Sequence, residues 1–527
     1  MEWLIHLKLG LASIFVHPSM LHIAGLGLPA GIVMLVLGLA TGMLVGATPG
    51  LAGPMAMAVA LPILISVFGV TPEALLPVFG FLIGVMKGAT VGGAVPAILF
   101  NTPGTPDAFM TTLDGYPMAK RGEPGRALRI AHRASVMGDT FSDFVLFVCA
   151  PFLAILVEKY LDFPEKTALI LLSLSFMAAV MGHSVAKGLI SVALGMLAAY
   201  VATGEEFYPR LSLGLEGVEG GFSLTTAVMG VLVLGEVFRS IEDMWRGHMA
   251  RSANAVAGGA DVGRLHDGDM KRIWPYVWRS SIIGTVIGAL PGVGSTLAAA
   301  MGYSYGKDVH AKRKAPTDPA FGEGAPEGIA ATEAANSAVS GANLIPVLSL
   351  GIPGNAAAVF LILAADSIGG FNPGPSVFRV SAGTINPELV VAFGIFTLMT
   401  LGNLLNWSLG GWVMRSLGVM ARIPNSLLMP SVLLVTLTAI YVQTPSMSSL
   451  WIAIGFGILG YLMRRLEISL LPFVISFILA RNLESLARGA FSASGSDPWF
   501  LFKSPIALVF LVLSVVSVVY FSRRRKP

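Results

Sequence analysis

Apolar residues fall along this chain in continuous runs of roughly 20, not in strand-like alternation. Runs at 22–41, 73–100, 134–157, 164–181, 187–203 and 222–238 occupy the first half; runs at 387–412, 426–443, 446–463, 468–487 and 503–522 occupy the second. About 20 apolar residues make a helix that crosses a bilayer, whereas a barrel strand would alternate over about 10. The pattern predicts an all-α polytopic membrane protein with about 12 membrane helices. A shorter apolar segment at 3–16 lacks the basic start of a signal peptide, so residues 1–21 read as a retained N-terminal interfacial helix.

The pattern is interrupted by the same word in each half. Gly38, Gly42 and Gly46 stand four apart and lead into Ala47-Thr48-Pro49-Gly50; Gly284 and Gly288 lead into Ala289-Leu290-Pro291-Gly292. In a soluble helix each Gly costs about 1 kcal/mol against Ala and each internal Pro about 3. In a bilayer, small residues let helices approach closely, and a broken helix is tolerated where protein buries it. Each half also has a second break at the same spacing: Pro96 before Pro103-Gly104, and Pro346 before Pro353-Gly354. Residues 42–68 therefore read as a discontinuous or re-entrant helical hairpin, and 331–365 as a long span that carries the second break. The expected organisation is an N-terminal helix (1–21), a first repeat (22–221), a second repeat (222–465), and C-terminal helices with a basic tail (466–527). The second repeat includes a linker at 239–279 and a polar insert at 303–330.

Charge orients these pieces. Lys and Arg concentrate at 120–133, 239–279, 415–422, 464–465 and in the tail from Arg523 to Lys526, while Glu205, Glu206, Glu216 and Glu219 form an acidic stretch. Basic loops remain cytoplasmic. The C-terminus is thus expected inside, with 73–100 crossing outside to inside and 331–365 inside to outside. The halves become two inverted structural repeats in a bacterial inner membrane, provided the Gly-Pro words are hairpins that do not cross. Composition agrees: 12% of residues are charged, against about 25% in soluble chains, and mean hydropathy is +0.76. The net charge of +4 lies in loops beside spans and is no sign of nucleic-acid binding. The lone Cys149 excludes an internal disulfide and reads as a small buried residue.

Broken helices supply chemistry. N–H groups at half-helix N-termini attract carboxylates, and unwound carbonyls can coordinate Na⁺. The candidate substrate site comprises Thr48, Pro49, Gly50, Asn101, Thr102, Pro103, Gly104, Thr105, Pro291, Gly292, Ser295, Thr296, Asn336, Pro353, Gly354 and Asn355. Kinks and turns are the alternative use of these residues. Lys87, Thr90 and Glu333 are candidates for charge or coupling. A mid-span Lys costs a few kcal/mol unless it snorkels, so it is expected to serve as counter-charge for an anion or as a tuned cation. Glu333 and Asn336 share a helix face at i,i+3, either as a helix-start carboxylate with its neighbour or as a site lining.

No catalytic residue, metal site or cofactor is expected beyond a coupling ion. Gly302-Tyr-Ser304-Tyr-Gly306 matches a nucleophile elbow but lacks its strand-turn-helix context and assignable partners. The eight His residues form no zinc motif, and the glycines of 322–328 are not followed by Gly-Lys-Ser/Thr, so no ATP use is indicated.

Several words resemble the large permease subunit of tripartite tricarboxylate transporters (TctA-like). They are Gly46-Ala-Thr-Pro-Gly-Leu, Pro96-Ala-Ile-Leu-Phe-Asn-Thr-Pro-Gly-Thr-Pro, Asp114-Gly-Tyr-Pro-Met-Ala-Lys-Arg-Gly, Gly288-Ala-Leu-Pro-Gly-Val-Gly-Ser-Thr, Phe321-Gly-Glu-Gly-Ala-Pro-Glu-Gly-Ile-Ala, Glu333-Ala-Ala-Asn-Ser-Ala and Ile345-Pro-Val-Leu-Ser-Leu-Gly-Ile-Pro-Gly. The resemblance spans about 25–465. It implies a secondary transporter of carboxylates that works with a small membrane subunit and a periplasmic binding protein. Coupling would be to Na⁺ or H⁺, with an elevator motion. It leaves a homodimer open and implies no ATPase. The chain departs from the family at Val91-Gly92-Gly93-Ala94, where Tyr-Gly-Gly-Ser is usual, at Lys87, where an aromatic residue is expected, and at Asn336-Ser337, where Asn-Asn is usual. These departures leave the particular carboxylate open. The other function classes kept beside this one are an intramembrane hydrolase using Ser304 and a passive anion channel.

Overall fold

The computed structural model describes residues 2–15, 20–23, 26–48, 51–181, 184–201, 204–205, 208–211, 221–246, 265–291, 293–312, 319–381, 383–416, 425–443 and 445–524. Pro49, Gly50 and Gly292 of the first breaks lie outside the described residues. Helix α1 (Glu2–Phe15) packs on a later helix through Gly10 and Trp3, which meet Phe393. An antiparallel ribbon, β1 (Met20–Ile23) with β2 (Leu26–Pro29), precedes α2 (Ala30–Gly46), so the run expected as a span from 22 begins instead as a hairpin. Then come α3 (Gly53–Phe68), α4 (Leu75–Phe100), α5 (Thr112–Lys120) and α6 (Pro124–Tyr160). Helix α6 absorbs the polar stretch at 124–133, which had read as loop, because Gly125, Ala127, Leu128, Ile130, Ala131 and Ala134 give that stretch a buried face. Helices α7 (Phe163–Val180) and α8 (Val185–Tyr200) and a second short ribbon, β3 (Gly204–Glu205) with β4 (Tyr208–Pro209), complete the first half.

Helix α9 (Leu224–Met229) continues through a π turn into α10 (Gly235–Trp245). Residues 247–264 of the linker lie outside the described residues; its end and the second glycine pair form α11 (Asp269–Gly288), and α12 (Gly294–Ala311) follows. The long second-half segment is three helices: α13 (Pro326–Ala342), α14 (Leu344–Leu350) and α15 (Ala356–Ile368). There follow α16 (Pro387–Leu405), α17 (Gly411–Ser416), α18 (Asn425–Gln443), α19 (Met447–Arg465), α20 (Leu470–Ala493), α21 (Phe500–Lys503) and α22 (Pro505–Arg524). Among the described residues eight helices are long and apolar enough to cross a membrane, with shorter apolar helices beside them. The chain is a multi-pass, predominantly helical membrane protein. Cys149 lies on the outward face of α6 and is exposed, not buried as expected. It falls among Phe144, Val148 and Phe152, which are exposed too, so that face offers apolar surface to lipid.

The glycines determine the core. A Cβ on Gly38, Gly42 or Gly46 of α2 would overlap backbone of Phe81, Val85 or Ala89 on α4. Reciprocally, Gly80, Gly84, Gly88 and Gly92 of α4 sit against Gly31, Leu35, Leu39 and Met43. Two stripes at four-residue spacing thus let parallel helices touch backbone to backbone, as small residues do in membranes. The second half repeats the contact: Gly284 meets Ala335 and Gly288 meets Val339, pairing α11 with α13 in parallel.

The ends of α4 and α14 match as well. Thr102 N–H donates to the Pro96 carbonyl at 3.3 Å, and Ile352 N–H to that of Pro346 at 3.2 Å. Each helix stops on a left-handed residue, Asn101 (φ 54°) or Gly351 (φ 70°), which Gly adopts freely and Asn more readily than other residues. The chain then doubles back. Gly104 N–H donates to the Gly93 carbonyl at 3.3 Å, and Gly354 lies over Asn343.

Helix α6 links the halves. Ser135 meets Glu333, Gly138 meets Ala334, and Asp139 meets Ser340, so α6 and α13 run parallel. Helix α4 runs against α6, with Lys87 at Asp139 and Asp143 and the Val91–Ile98 end beside Ala127 and Ala131. Two groups of helices result. Helices α2, α4, α6, α11, α12, α13 and α16 form one; α7, α8, α20 and α22 together with α9, α10, α18 and α19 form the other. The half-helices after the breaks bridge them: α3 packs on α4 and α18, and α15 on α4 and α20.

Candidate functional site

In the first half the second break meets the end of α2. Gly104 sits against Gly46, Gly93 and Pro96, so the second break is laid over the end of α2. Beside them opens a cavity of about 600 Å³ lined by Leu51, Ala52, Pro103, Gly104, Thr105 and Ala356. The second break of the first half therefore borders this space directly, and Leu51, Ala52 and Ala356 bring the starts of α3 and α15 to it. Its far wall carries charge: Glu236 and Arg239 of α10 and Arg464 of α19. Arg464 pairs with Glu236 at 2.5 Å and donates to the Leu232 carbonyl at 3.1 Å. Just after the break at Pro291, Thr296 at the start of α12 donates to Asp107 at 2.5 Å, joining the two halves there. A second cavity of about 1010 Å³ lies at the other end of α15, beside the middle of α20, and is lined by Asp366, Glu388 and Arg481.

Several predicted residues serve the backbone. Thr48 donates to the Leu44 carbonyl, Thr90 to Met86 and Thr102 to Phe100. Asn355 caps α15 by accepting the Ala358 N–H at 2.9 Å, so one free donor of that half-helix is already satisfied. Ser295 and Pro291 are half-buried beside the α12 start, and Pro353 and Gly354 are buried.

Asn336 keeps a different position. Both its amide atoms are buried with no hydrogen-bond partner among the described residues, as are both of Asn343, Ser337 Oγ and Thr105 Oγ1. Asn336 and Asn343 are two turns apart on the α13 stripe that carries Thr332, and Asn343 lies under Gly354. Buried amides are normally bonded. A stripe of unbonded ones beside the breaks is chemistry suited to a polar ligand.

Glu333 is not a helix-start carboxylate. It is fully buried in the middle of α13, accepting from Thr111 and, at 2.9 Å, from Ser135. Lys87 is buried to 1% exposure, and its three N–H groups go to Asp139 (2.9 Å), Asp143 (2.7 Å) and Asn403 (2.9 Å). It neither snorkels nor keeps an N–H for a substrate. Asn403 also donates to Asp143 at 2.8 Å, and Ser340 donates to Asp139. Sequence reasoning missed Asp139, Asp143, Asn403, Ser340, Asn343 and Arg464. The signal was present for the first two: carboxylates four apart inside an apolar run.

Two words quoted for the resemblance form one contact. Asp114 Oδ1 accepts the N–H groups of Gly322 (2.9 Å), Gly324 (2.9 Å) and Ala325 (2.7 Å), and Arg121 donates to the Gly324 carbonyl at 2.7 Å. Gly322 and Gly324 have φ of 91° and 96°, which aims their N–H groups at one oxygen. Ser304 lies within helix α12 on its exposed face, not on a strand-to-helix elbow.

Comparison with known proteins agrees with the words. Residues 32–475 match the model of the tripartite tricarboxylate transporter TctA family. The chain is 32% identical over 502 residues, 93% of each chain, to an uncharacterized 52.8 kDa protein in the TAR-I ttuC' 3'region of Agrobacterium vitis. It is 34% identical over 241 residues to an uncharacterized protein in the TAR-II ttuC' 3'region of the same organism, covering 45% of this chain and 92% of that one. No solved structure was found to match. With its backbone breaks, its buried polar stripe and a family match across most of its length, the chain belongs to the tripartite tricarboxylate transporter TctA family.

Proposed function

We propose that the chain is the large membrane subunit of a binding-protein-dependent secondary transporter that imports a di- or tricarboxylate or a related organic anion. The observation that carries this reading is the pair of buried, unbonded amides Asn336 and Asn343 on α13, of which Asn343 lies under Gly354 of the last break. Amide N–H groups and the N-termini of α3 and α15 would hold carboxylate oxygens. A small membrane subunit and a periplasmic binding protein would complete the transporter, and a Na⁺ or H⁺ gradient would drive it. Thr48, Pro49, Gly50, Pro291 and Gly292 remain part of the proposed site.

The transport cycle we propose is elevator-like, between two inverted repeats in a bacterial inner membrane with the C-terminus inside. The opposite run of α4 and α13 supports the inversion. Cavities at the two ends of α15, and two helix groups bridged by the half-helices α3 and α15, support alternating access. Uptake of a panel of labelled carboxylates by the reconstituted complex tests the reading. Asn336→Ala and Asn343→Ala are expected to lose uptake at unchanged membrane abundance; wild-type uptake in both would refute the site.

A further inference from the structure

The charge cluster around Lys87 has no part in the substrate site and calls for its own explanation. Four elements meet there: Lys87 from α4, Asp139 and Asp143 from α6, Ser340 from α13 and Asn403 from α16. All are buried, with exposures of 1% for Lys87, 3% for Asp139 and 2% for Asp143. One ammonium faces two carboxylates, so with both ionised the cluster carries one uncompensated negative charge inside a membrane protein. Of the four carboxylate oxygens, three have partners: Lys87 on Asp139 Oδ2, Ser340 on Asp139 Oδ1, and Lys87 with Asn403 on Asp143 Oδ2. Asp143 Oδ1 is buried and has no hydrogen-bond partner among the described residues. The unmatched charge and the unmatched oxygen coincide on one residue.

We propose that Asp143, held by Lys87, Asp139, Asn403 and Ser340, is a proton-carrying site, so that transport is driven by a pH gradient and needs no Na⁺. The inference rests on the transporter reading above and names its coupling ion. A proton added at Asp143 Oδ1 brings the cluster from one net negative charge to neutral, and its release on the other side restores the charge. The helix group containing α4, α6 and α13 could then move with neutral contents in one state and be held by its charge in the other. Sodium fits poorly here. It needs several oxygens around it, yet the space among these oxygens is taken by an ammonium in contact with three of them, which would repel a second cation. A proton needs only one lone pair.

The other titratable groups facing this seam are accounted for. Glu333 on α13 accepts from Thr111 and Ser135; His132 on α6 bonds the Asn406 carbonyl at 3.0 Å; Arg133 stacks over Trp407. Lys87 is the sole titratable residue of α4, and Glu388, the sole one of α16, lies at that helix's other end, about 22 Å along the axis. Asp139 and Asp143 are therefore the carboxylates that Lys87 must balance.

The test uses the complete transporter in proteoliposomes, with labelled di- and tricarboxylates as probes and either an inside-alkaline pH gradient or an inward Na⁺ gradient. The expected result is accumulation on the pH gradient with no Na⁺ present. Asp143→Asn is expected to lower pH-driven accumulation at least tenfold while carboxylate-for-carboxylate exchange persists. Ser340→Ala, which removes only a hydroxyl from Asp139, is expected to shift the pH midpoint of uptake. Accumulation that requires Na⁺ and ignores pH would overturn the proton site and leave the transporter reading standing. Accumulation on neither gradient would refute the transporter reading. The site is then decided by infrared pH-difference spectra of the wild-type protein: a carboxylic-acid C=O band that Asp143→Asn removes upholds it, and a wild-type spectrum without such a band overturns it.

Discussion

Lys87→Met removes the cation from a buried cluster and leaves its shape nearly intact. Asp139 Oδ2 loses its 2.9 Å donor, and Asp143 Oδ2 loses a 2.7 Å donor and keeps only Asn403. Breaking one side of a buried ion pair costs about 3–5 kcal/mol, because the remaining charge is left uncompensated. Removing all the charges together is far milder, since a buried pair is often no more stable than its uncharged replacement. Four variants beside wild type therefore decide the matter: Lys87→Met, Asp143→Asn, the two combined, and the triple variant with Asp139→Asn. Lys87→Met is expected to be destabilised by about 3–5 kcal/mol. Lys87→Met combined with Asp139→Asn and Asp143→Asn is expected to recover most of that loss. The coupling between Lys87 and Asp143 in a double-mutant cycle is expected at about 1–3 kcal/mol. Denaturation in mixed micelles reads every one of them. A single variant within about 0.5 kcal/mol of wild type, or strictly additive losses, would refute the cluster as described.

Other consequences follow from the same geometry. Asp114→Ala removes an oxygen that accepts three N–H groups and is expected to cost about 3 kcal/mol, with faster proteolysis at the Phe321–Ala325 loop it holds. Gly42→Leu and Gly84→Leu place side chains against neighbouring backbone and are expected to abolish accumulation of folded protein in the membrane. Gly455→Leu, with open space at that position, is expected to be tolerated on the same immunoblot. Burial raises the Asp269 carboxyl, but Arg126 and the His266 N–H hold it below the ordinary carboxylate value. A depressed carboxylate stabilises above its unfolded value and loses that contribution as pH falls through the folded one. Asp269→Asn should thus lie below wild type in stability at neutral pH and converge with it below about pH 4 in a pH series of thermal melts.

The sequence was readable where one kind of residue dominated a stretch. Leu75–Phe100 was legible because nothing polar but Lys87 and Thr90 interrupts it, and its end was legible from Pro96 and Pro103-Gly104. The glycine spacing announced close packing, and the partner proved to be the next long helix. Helix α6 was misread at its start because a polar outward face hid a buried inward one. Asp114 and Gly324 could not be joined from sequence, since their contact depends on the two halves meeting. Lys87 was noticed, but its partners were not, because Asp139 and Asp143 sit in a helix whose outer face is apolar enough to mask them. Asn336 stood out beside Glu333; Asn343 did not, as a single Asn before an apolar run reads as a helix end.

The central claim is that a carboxylate is carried between the breaks, held by α13. Its most direct measurement is accumulation of a labelled carboxylate against its gradient by the reconstituted complex with its binding protein, comparing wild type with Asn336→Ala/Asn343→Ala. Accumulation by wild type and loss in the variant at equal protein level is the predicted result. Equal accumulation by the two proteins, or passive equilibration by wild type, would contradict it.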